Sequence, residues 1–233
     1  MKRFYKEASV SQGDGGWQVL LDGRSIRTAA GKPQLLPTRQ LAEAMAGEWA
    51  SQGEKLDPKT FPLRDLADFA LDSVSADRAT TIAELVRYSE GDTLCYRADA
   101  GEPLHQRQIA SWEPLLASAE QRWDVHFSRI EGIVHQPQPA ETLSRMEAVL
   151  VAQSDFTLAA LRMMASLAAS LVIALAATSE DADAETLWAA ANLEEDWQAE
   201  QWGRDNEAQV LRQTRLEAFA LAMRFAALAK SEG

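Results

Sequence analysis

The chain has 233 residues, of which 46% are hydrophobic and 25% charged, and its 23 Lys+Arg against 35 Asp+Glu leave a net charge of −12. Enough apolar side chain is present to offset the entropy of ordering, which excludes a largely disordered chain, and the acidic balance excludes a general nucleic-acid coat, which needs a positive field. Cys95 is the only cysteine, so an intrachain disulfide and an all-cysteine metal site are ruled out.

The opening MKRFYKEASV has no apolar run behind its basic residues. Neither a secretory signal nor an Arg/Ser-rich organelle lead is expected there. Residues 1–40 carry net +4 and residues 180–233 net −7, so the chain begins basic and ends acidic. Phe4, Lys6, Ala8 and Val10 alternate with Tyr5, Glu7 and Ser9, the period of a strand. A Gly-Asp-Gly-Gly turn at 13–16 leads into Trp17–Leu21, and Asp22-Gly23 then joins that run to Arg24–Thr28. Asp-Gly between such runs favours a tight hairpin, because both residues tolerate positive φ. A turn at 30–33 and a short extended piece at 34–36 follow. Thr38 is an N-cap, and Leu41, Met45 and Trp49 recur every four residues, predicting a helix over 39–51.

Gly53 and Asp57-Pro58 end that helix and place a domain boundary near residue 60. Helical spacing dominates beyond it. Leu63, Leu66, Ala67, Ala70 and Val74 share a face; Ile82, Leu85 and Val86 form a second stripe, closed by Gly91. Ile109, Trp112, Leu116, Ala119 and Trp123 make a regular buried stripe, with Pro114 predicting either a kink or a helix start near Glu113. Residues 129–139 read as extended, around Ile130, Gly132, Ile133 and Val134. Helices are predicted over 140–152, 156–177, 183–202 and 205–230. The uncharged stretch Met163–Ser179, 17 residues rich in Ala and Ser, is expected as a buried central helix, since a membrane span needs ~20 strongly apolar residues. The fold class is α+β: a small β-rich N-terminal domain with one helix over residues 1–60, then a larger all-helical domain over 61–233.

Catalytic signals are poor. His105, His126 and His135 show no paired spacing, Ser25 has no base nearby in sequence, and Gly13–Gly16 lacks the Lys-Ser/Thr of a phosphate loop. Cys95, between Leu94 and Tyr96, reads as a packed thiol. No catalytic residue, metal or cofactor is expected. The strongest local feature is LEEDWQAEQWG at 193–203. Helical positions seven apart nearly eclipse, so Trp188, Glu195 and Trp202 are expected on one face. The segment is either a solvated acidic face beside core tryptophans or a recognition patch, since exposed tryptophan and clustered carboxylates suit a basic partner.

The ordered blocks KRFYKE, GGWQVLLDGR, LAEAMAGEWASQ, ELVRYSEGDTLCYR, EGIVHQPQP and LEEDWQAEQWG resemble the assembly chaperone family for the alpha subunit of the F-type ATP synthase catalytic head, found in mitochondria and alphaproteobacteria. The resemblance runs from Arg3 to Phe225, with one departure at Ala29-Ala30, where the family turn carries Thr-Pro. It implies a non-enzymatic chaperone that binds the unassembled alpha subunit, prevents its aggregation and promotes the alpha/beta hexamer. The free chain is expected to be monomeric, since a chaperone that covers a monomeric client need not self-associate, and from charge and hydropathy neither nucleic-acid binding nor membrane insertion is expected. A bacterial cytoplasmic member is expected, the mitochondrial matrix being the compartment of eukaryotic relatives. The family's acidic-aromatic motif falls on Glu195, Asp196, Trp197, Gln198, Glu200 and Trp202, with Glu195 and Asp196 expected to face the partner and Trp202 to anchor it. Trp49 matches the family's helix-one tryptophan, as core more than interface. Two other classes stay open on the residues: a small-molecule enzyme with a site in an inter-domain cleft, and an adaptor for another basic client.

Overall fold

Strand β1 (Ala8–Gly13) pairs antiparallel with β2 (Gly16–Leu21), Ala8 opposite Leu21 and Gly13 opposite Gly16. The short β3 (Arg24–Ser25) returns beside β2, with Leu21 opposite Arg24. Asp22 and Gly23 take φ of 49° and 78° at the tight turn, as the Asp-Gly pair predicts. Gly16 is required for another reason: a Cβ there would lie 2.6 Å from the Leu36 carbonyl oxygen, where Leu36 and Trp17 exchange backbone hydrogen bonds of 2.8 Å. The ladder starts at Ala8, not at Phe4. The Asp22 carboxylate accepts the N–H groups of Lys6 and Glu7 at 3.0 and 2.9 Å, which diverts the donors that would extend the strand.

The computed structural model describes residues 1–132, 134–203 and 205–230. Its packing divides the chain into two compact units: residues 1–78 with 154–160 and the described part of 224–233, and residues 79–153 with 161–223. The boundary expected near residue 60 falls within the first unit, at the tight turn Pro58–Thr60.

In the first unit, helix α1 (Arg39–Ala50) begins where Thr38 Oγ1 accepts the Leu41 N–H, and buries Leu41, Met45 and Trp49 against β1 and β2. The Thr38 hydroxyl in turn donates to the Leu228 carbonyl. Helix α2 (Pro62–Phe69) continues through a wide turn at 70–74, and its predicted face of Leu63, Leu66, Ala67, Ala70 and Val74 is buried throughout. Glu48, from α1, caps α2 by accepting the N–H groups of Leu63 and Arg64. Asp68 and Asp72 on the same helix hold the turn at Ala29-Ala30 through its two backbone N–H groups.

The second unit is almost wholly helical. It contains α3 (Arg78–Glu90, from residue 79), α4 (Pro103–Trp123) and α5 (Ala140–Val151). Between them β4 (Tyr96–Arg97) and β5 (Ile130–Glu131) pair in parallel. Ile133 lies outside the described residues. Helix α4 runs unbroken through Pro114, and Trp112, Leu116 and Ala119 are buried as predicted, whereas Ile109 is exposed. The polar Gln108 takes the inward position beside it, its Oε1 accepting the Ala98 N–H at 2.8 Å. Arg97 and Arg129 bridge to Glu113, and Arg129 also to Glu120, tying the β4–β5 ribbon to α4.

The helix predicted over 156–177 is two helices, α6 (Asp155–Ala168) and α7 (Leu171–Ala176). Ala169 breaks it, with φ of +48°, and its carbonyl accepts from the Thr93 N–H and hydroxyl. Ser170 then caps α7 by accepting the Ile173 N–H at 3.0 Å, and the fully buried Asp92 accepts the Val172 N–H at 3.0 Å. Burial pushes the Asp92 carboxyl up to about 6, against the hydrogen bonds that pull it down. Leu171 to Leu175 are all buried, so the Ala-rich segment is the core that its composition predicts. Among the described residues, no helix is long and apolar enough to cross a membrane.

Candidate functional site

The predicted helix over 183–202 is also interrupted. Helix α8 (Ala184–Ala191) ends at Asn192, which leaves helical geometry with φ −111° and ψ 21°, and α9 (Leu193–Trp202) follows at once. The break has identifiable causes. Asn192 Nδ2 donates to the Trp188 carbonyl at 2.8 Å, and the Trp112 indole donates to the Ala190 carbonyl at 2.8 Å. The Ala190 carbonyl, which would have bonded the next turn, is therefore taken by a side chain, while the Trp188 carbonyl accepts both the backbone N–H and the side-chain amide of Asn192. Trp188 and Trp202, expected on one face with Glu195, lie in opposite environments on either side of the break. Trp188 is 3% exposed, its ring centroid 5.7 Å from that of Phe219, while Trp202 is 80% exposed.

No residue of α9 is buried. It is held to its neighbours by polar contacts instead. Asp196 is paired, oxygen by oxygen, with Arg212 of α10 (Asn206–Ala229), Nη2 lying 2.6 Å from Oδ2. Glu200 accepts from Arg107 of α4 at 2.9 Å, and that guanidinium stacks 4.6 Å from the centre of the Trp197 ring. Glu194 accepts from the buried Gln108 at 2.7 Å. Glu195 is exposed at the edge of the helix and makes no hydrogen bond or ion pair among the described residues, though its charge acts on the Arg212 guanidinium. Of the two carboxylates expected to face a partner, Glu195 is thus available, whereas Asp196 is engaged inside the fold. Trp197 and Glu200 work together through Arg107.

Gly203 ends α9 with φ +91°, a conformation open to glycine, and leaves Trp202 as the last side chain of the helix. A groove of ≈ 520 Å3 lies between α9 and the start of α10, lined among others by Glu195, Gln198, Ala199, Trp202, Leu211 and Arg215. Leu211 is 53% exposed, so with Trp202 two large apolar side chains stand in water at the groove, and the neighbouring Val210 is 68% exposed. The α10 residues were missed from sequence. Their signal is an adjacent Val-Leu pair whose helical neighbours at 213–215 are all polar, so the pair has no stripe to join.

Trp49 belongs to the first unit and is 8% exposed. It packs between Tyr5 and Phe61, with ring centroids at 5.6 and 4.5 Å, and its carbonyl accepts the Tyr5 hydroxyl at 2.6 Å. Its placement is that of a core side chain. Cys95 is buried, and burial pushes its thiol up, away from the thiolate. Among the described residues, no group of three or more His, Cys, Asp or Glu could hold a metal ion.

Comparison with known proteins adds an independent line. Residues 2–120 match the family described as ATP12 chaperone protein. The chain is 25% identical over 219 residues to the mitochondrial protein atp12 of Schizosaccharomyces pombe, covering 89% of this chain and 75% of that protein. It superposes on the crystal structure of Atp12 from Paracoccus denitrificans with a TM-score of 0.94, at 35% identity and 98% coverage of both chains. An aspartate-to-lysine variant of that Paracoccus protein matches with the same TM-score, identity and coverage. The chain belongs to the ATP12 chaperone family, and with it the α+β architecture stands and the small-molecule enzyme reading falls away.

Proposed function

We propose that this member of the ATP12 chaperone family serves ATP synthase assembly in the bacterial cytoplasm. It binds the unassembled alpha subunit of the catalytic head, keeps it from aggregating and yields it to the alpha/beta hexamer. The α9–α10 groove is the holding surface. The observation that carries the reading is Trp202, 80% exposed at the end of a helix with no buried residue. Leaving so large an apolar side chain in water is unfavourable unless a partner covers it.

The chemistry suits a temporary hold. An unpaired subunit exposes an apolar interface and aggregates readily. A chaperone has to cover that surface and then release it, so an apolar anchor ringed by polar contacts serves better than a large dry interface. Trp202 and Leu211 supply the anchor. Glu195 supplies a carboxylate for a cation of the client, and the Asp196–Arg212 and Glu200–Arg107 pairs brace the helix that presents both. Release requires no nucleotide if the beta subunit competes for the same surface.

Co-expression with the alpha subunit alone is the direct test. Soluble alpha should increase and co-elute with the chaperone on size exclusion. If alpha precipitates equally with and without it while beta is rescued, the client assignment is wrong.

A further inference from the structure

We propose that the first unit carries a second docking surface, a basic aromatic cup that takes an extended acidic peptide segment with an apolar anchor side chain. A cavity of ≈ 680 Å3 opens between the N-terminal segment and β3. Its floor is Tyr5, Leu21 and Trp49, each at most 8% exposed, and the Tyr5 hydroxyl bonded to the Trp49 carbonyl makes that floor rigid. Phe4 stands beside the opening, 63% exposed yet held edge-on against Tyr5 with ring centroids 5.3 Å apart. An ordered aromatic ring in water beside an apolar floor is a place for an apolar side chain to enter.

The charge of the cup decides which segment fits. Arg24 lines it, is exposed, and makes no hydrogen bond or ion pair among the described residues. Arg27 lines it too, steadied by donation from Nη1 to the Gly31 carbonyl at 2.7 Å. Arg3, over the Tyr5 ring at 4.6 Å, is outside the lining and is spent on the carbonyls of Tyr5, Gln52 and Lys6. The carboxylate among the lining residues is Asp22, and its oxygens already accept the N–H groups of Lys6 and Glu7. Two guanidinium groups against one carboxylate leave the lining positive on balance, and Arg24 and Arg27 pair with Asp or Glu side chains flanking the apolar anchor. A long polyanion fits less well, because the protein as a whole carries −12. The segment's source is a client rather than a small anion, since phosphate alone would leave the aromatic floor unfilled. The cup lies in a different unit from the α9–α10 groove, and the proposal does not depend on which subunit the chaperone holds.

The test uses the full-length protein and a fluorescein-labelled octapeptide in which glutamates alternate with leucine and phenylalanine, followed by anisotropy. Arg24→Glu should weaken binding by about tenfold or more with an unchanged thermal midpoint, since this side chain supports nothing else. Phe4→Ser should weaken it in the same direction, while Glu195→Lys, in the other unit, should leave it unaltered. Equal binding by the wild-type and Arg24→Glu proteins overturns the proposal. So does displacement of the peptide by inorganic phosphate as readily as by unlabelled peptide, which would mean a site for small anions. Displacement by excess unlabelled protein together with concentration-dependent self-association would likewise overturn it, by making a second copy the occupant. No alpha subunit enters the titration, so its failure leaves the client assignment standing, and the co-expression result leaves the cup untouched.

Discussion

Two helix breaks in the second unit have opposite consequences. At Ala169–Ser170 the chain leaves α6, and the five residues from Leu171 to Leu175 are all buried. At Asn192 it leaves α8, and α9 buries none of its residues. The first break is sealed from inside, with Asp92 and Ser170 occupying the first N–H groups of α7. The second is sealed from behind, with Trp112 taking the Ala190 carbonyl and the Asn192 amide joining the backbone bond at the Trp188 carbonyl. One break turns a helix into the core and the other sets a helix out on the surface. Two tryptophans fourteen residues apart in sequence, Trp188 and Trp202, consequently differ in surroundings: the first packs in the core and the second stands in water.

The sharpest way to break this contrast is Trp188→Ala. Removing a buried indole packed on Phe219 should cost about 3–5 kcal/mol of folding stability in urea denaturation. A loss below about 1 kcal/mol would mean that the α8 side of the break is not core.

Asp92 probes the other break through pH. Its folded-state carboxyl titrates at about 6 against an ordinary value of 3.8, so the folded protein holds that proton more tightly than the unfolded chain. The stabilisation is fully present below the unfolded value and is lost as pH rises through the folded one. Relative to Asp92→Asn, which does not titrate, the wild-type protein should lose on the order of 2–3 kcal/mol between pH 4 and pH 7. A relative gain over that range would mean that the carboxylate is held ionised by its N–H donors.

Much of this architecture is legible in the sequence, for local reasons. Asp22-Gly23 and Thr38 declare a turn and a cap through their own backbone chemistry, and Leu63 to Val74 declare a face by spacing alone. The breaks are illegible for the converse reason. Ala169 has no chemistry that announces a positive φ, and the donor that relieves the Ala190 carbonyl comes from Trp112, far away in sequence. The same distance hides the fate of the acidic motif. Nothing within LEEDWQAEQWG says that Asp196 will meet Arg212 or that Glu200 will meet Arg107, so Glu195 and Asp196 look equivalent until the fold separates them.

That separation predicts a smaller effect. Asp196→Asn, which keeps the shape but removes the charge from the pair with Arg212, should cost about 1–2 kcal/mol and raise hydrogen exchange in the first turns of α10. Unaltered stability and exchange would return Asp196 to the same standing as Glu195, as a side chain spent on the partner.

The smallest effect on folding, and the most direct test of the account, belongs to Trp202→Ala. Stability should change by about 0.5 kcal/mol or less, because the side chain is 80% exposed. Affinity for the purified alpha subunit, measured by titration with the thermal midpoint as control, should fall by about 2 kcal/mol or more, roughly thirtyfold. Full affinity in a folded Trp202→Ala protein would contradict the claim that α9 is set out on the surface to hold a client.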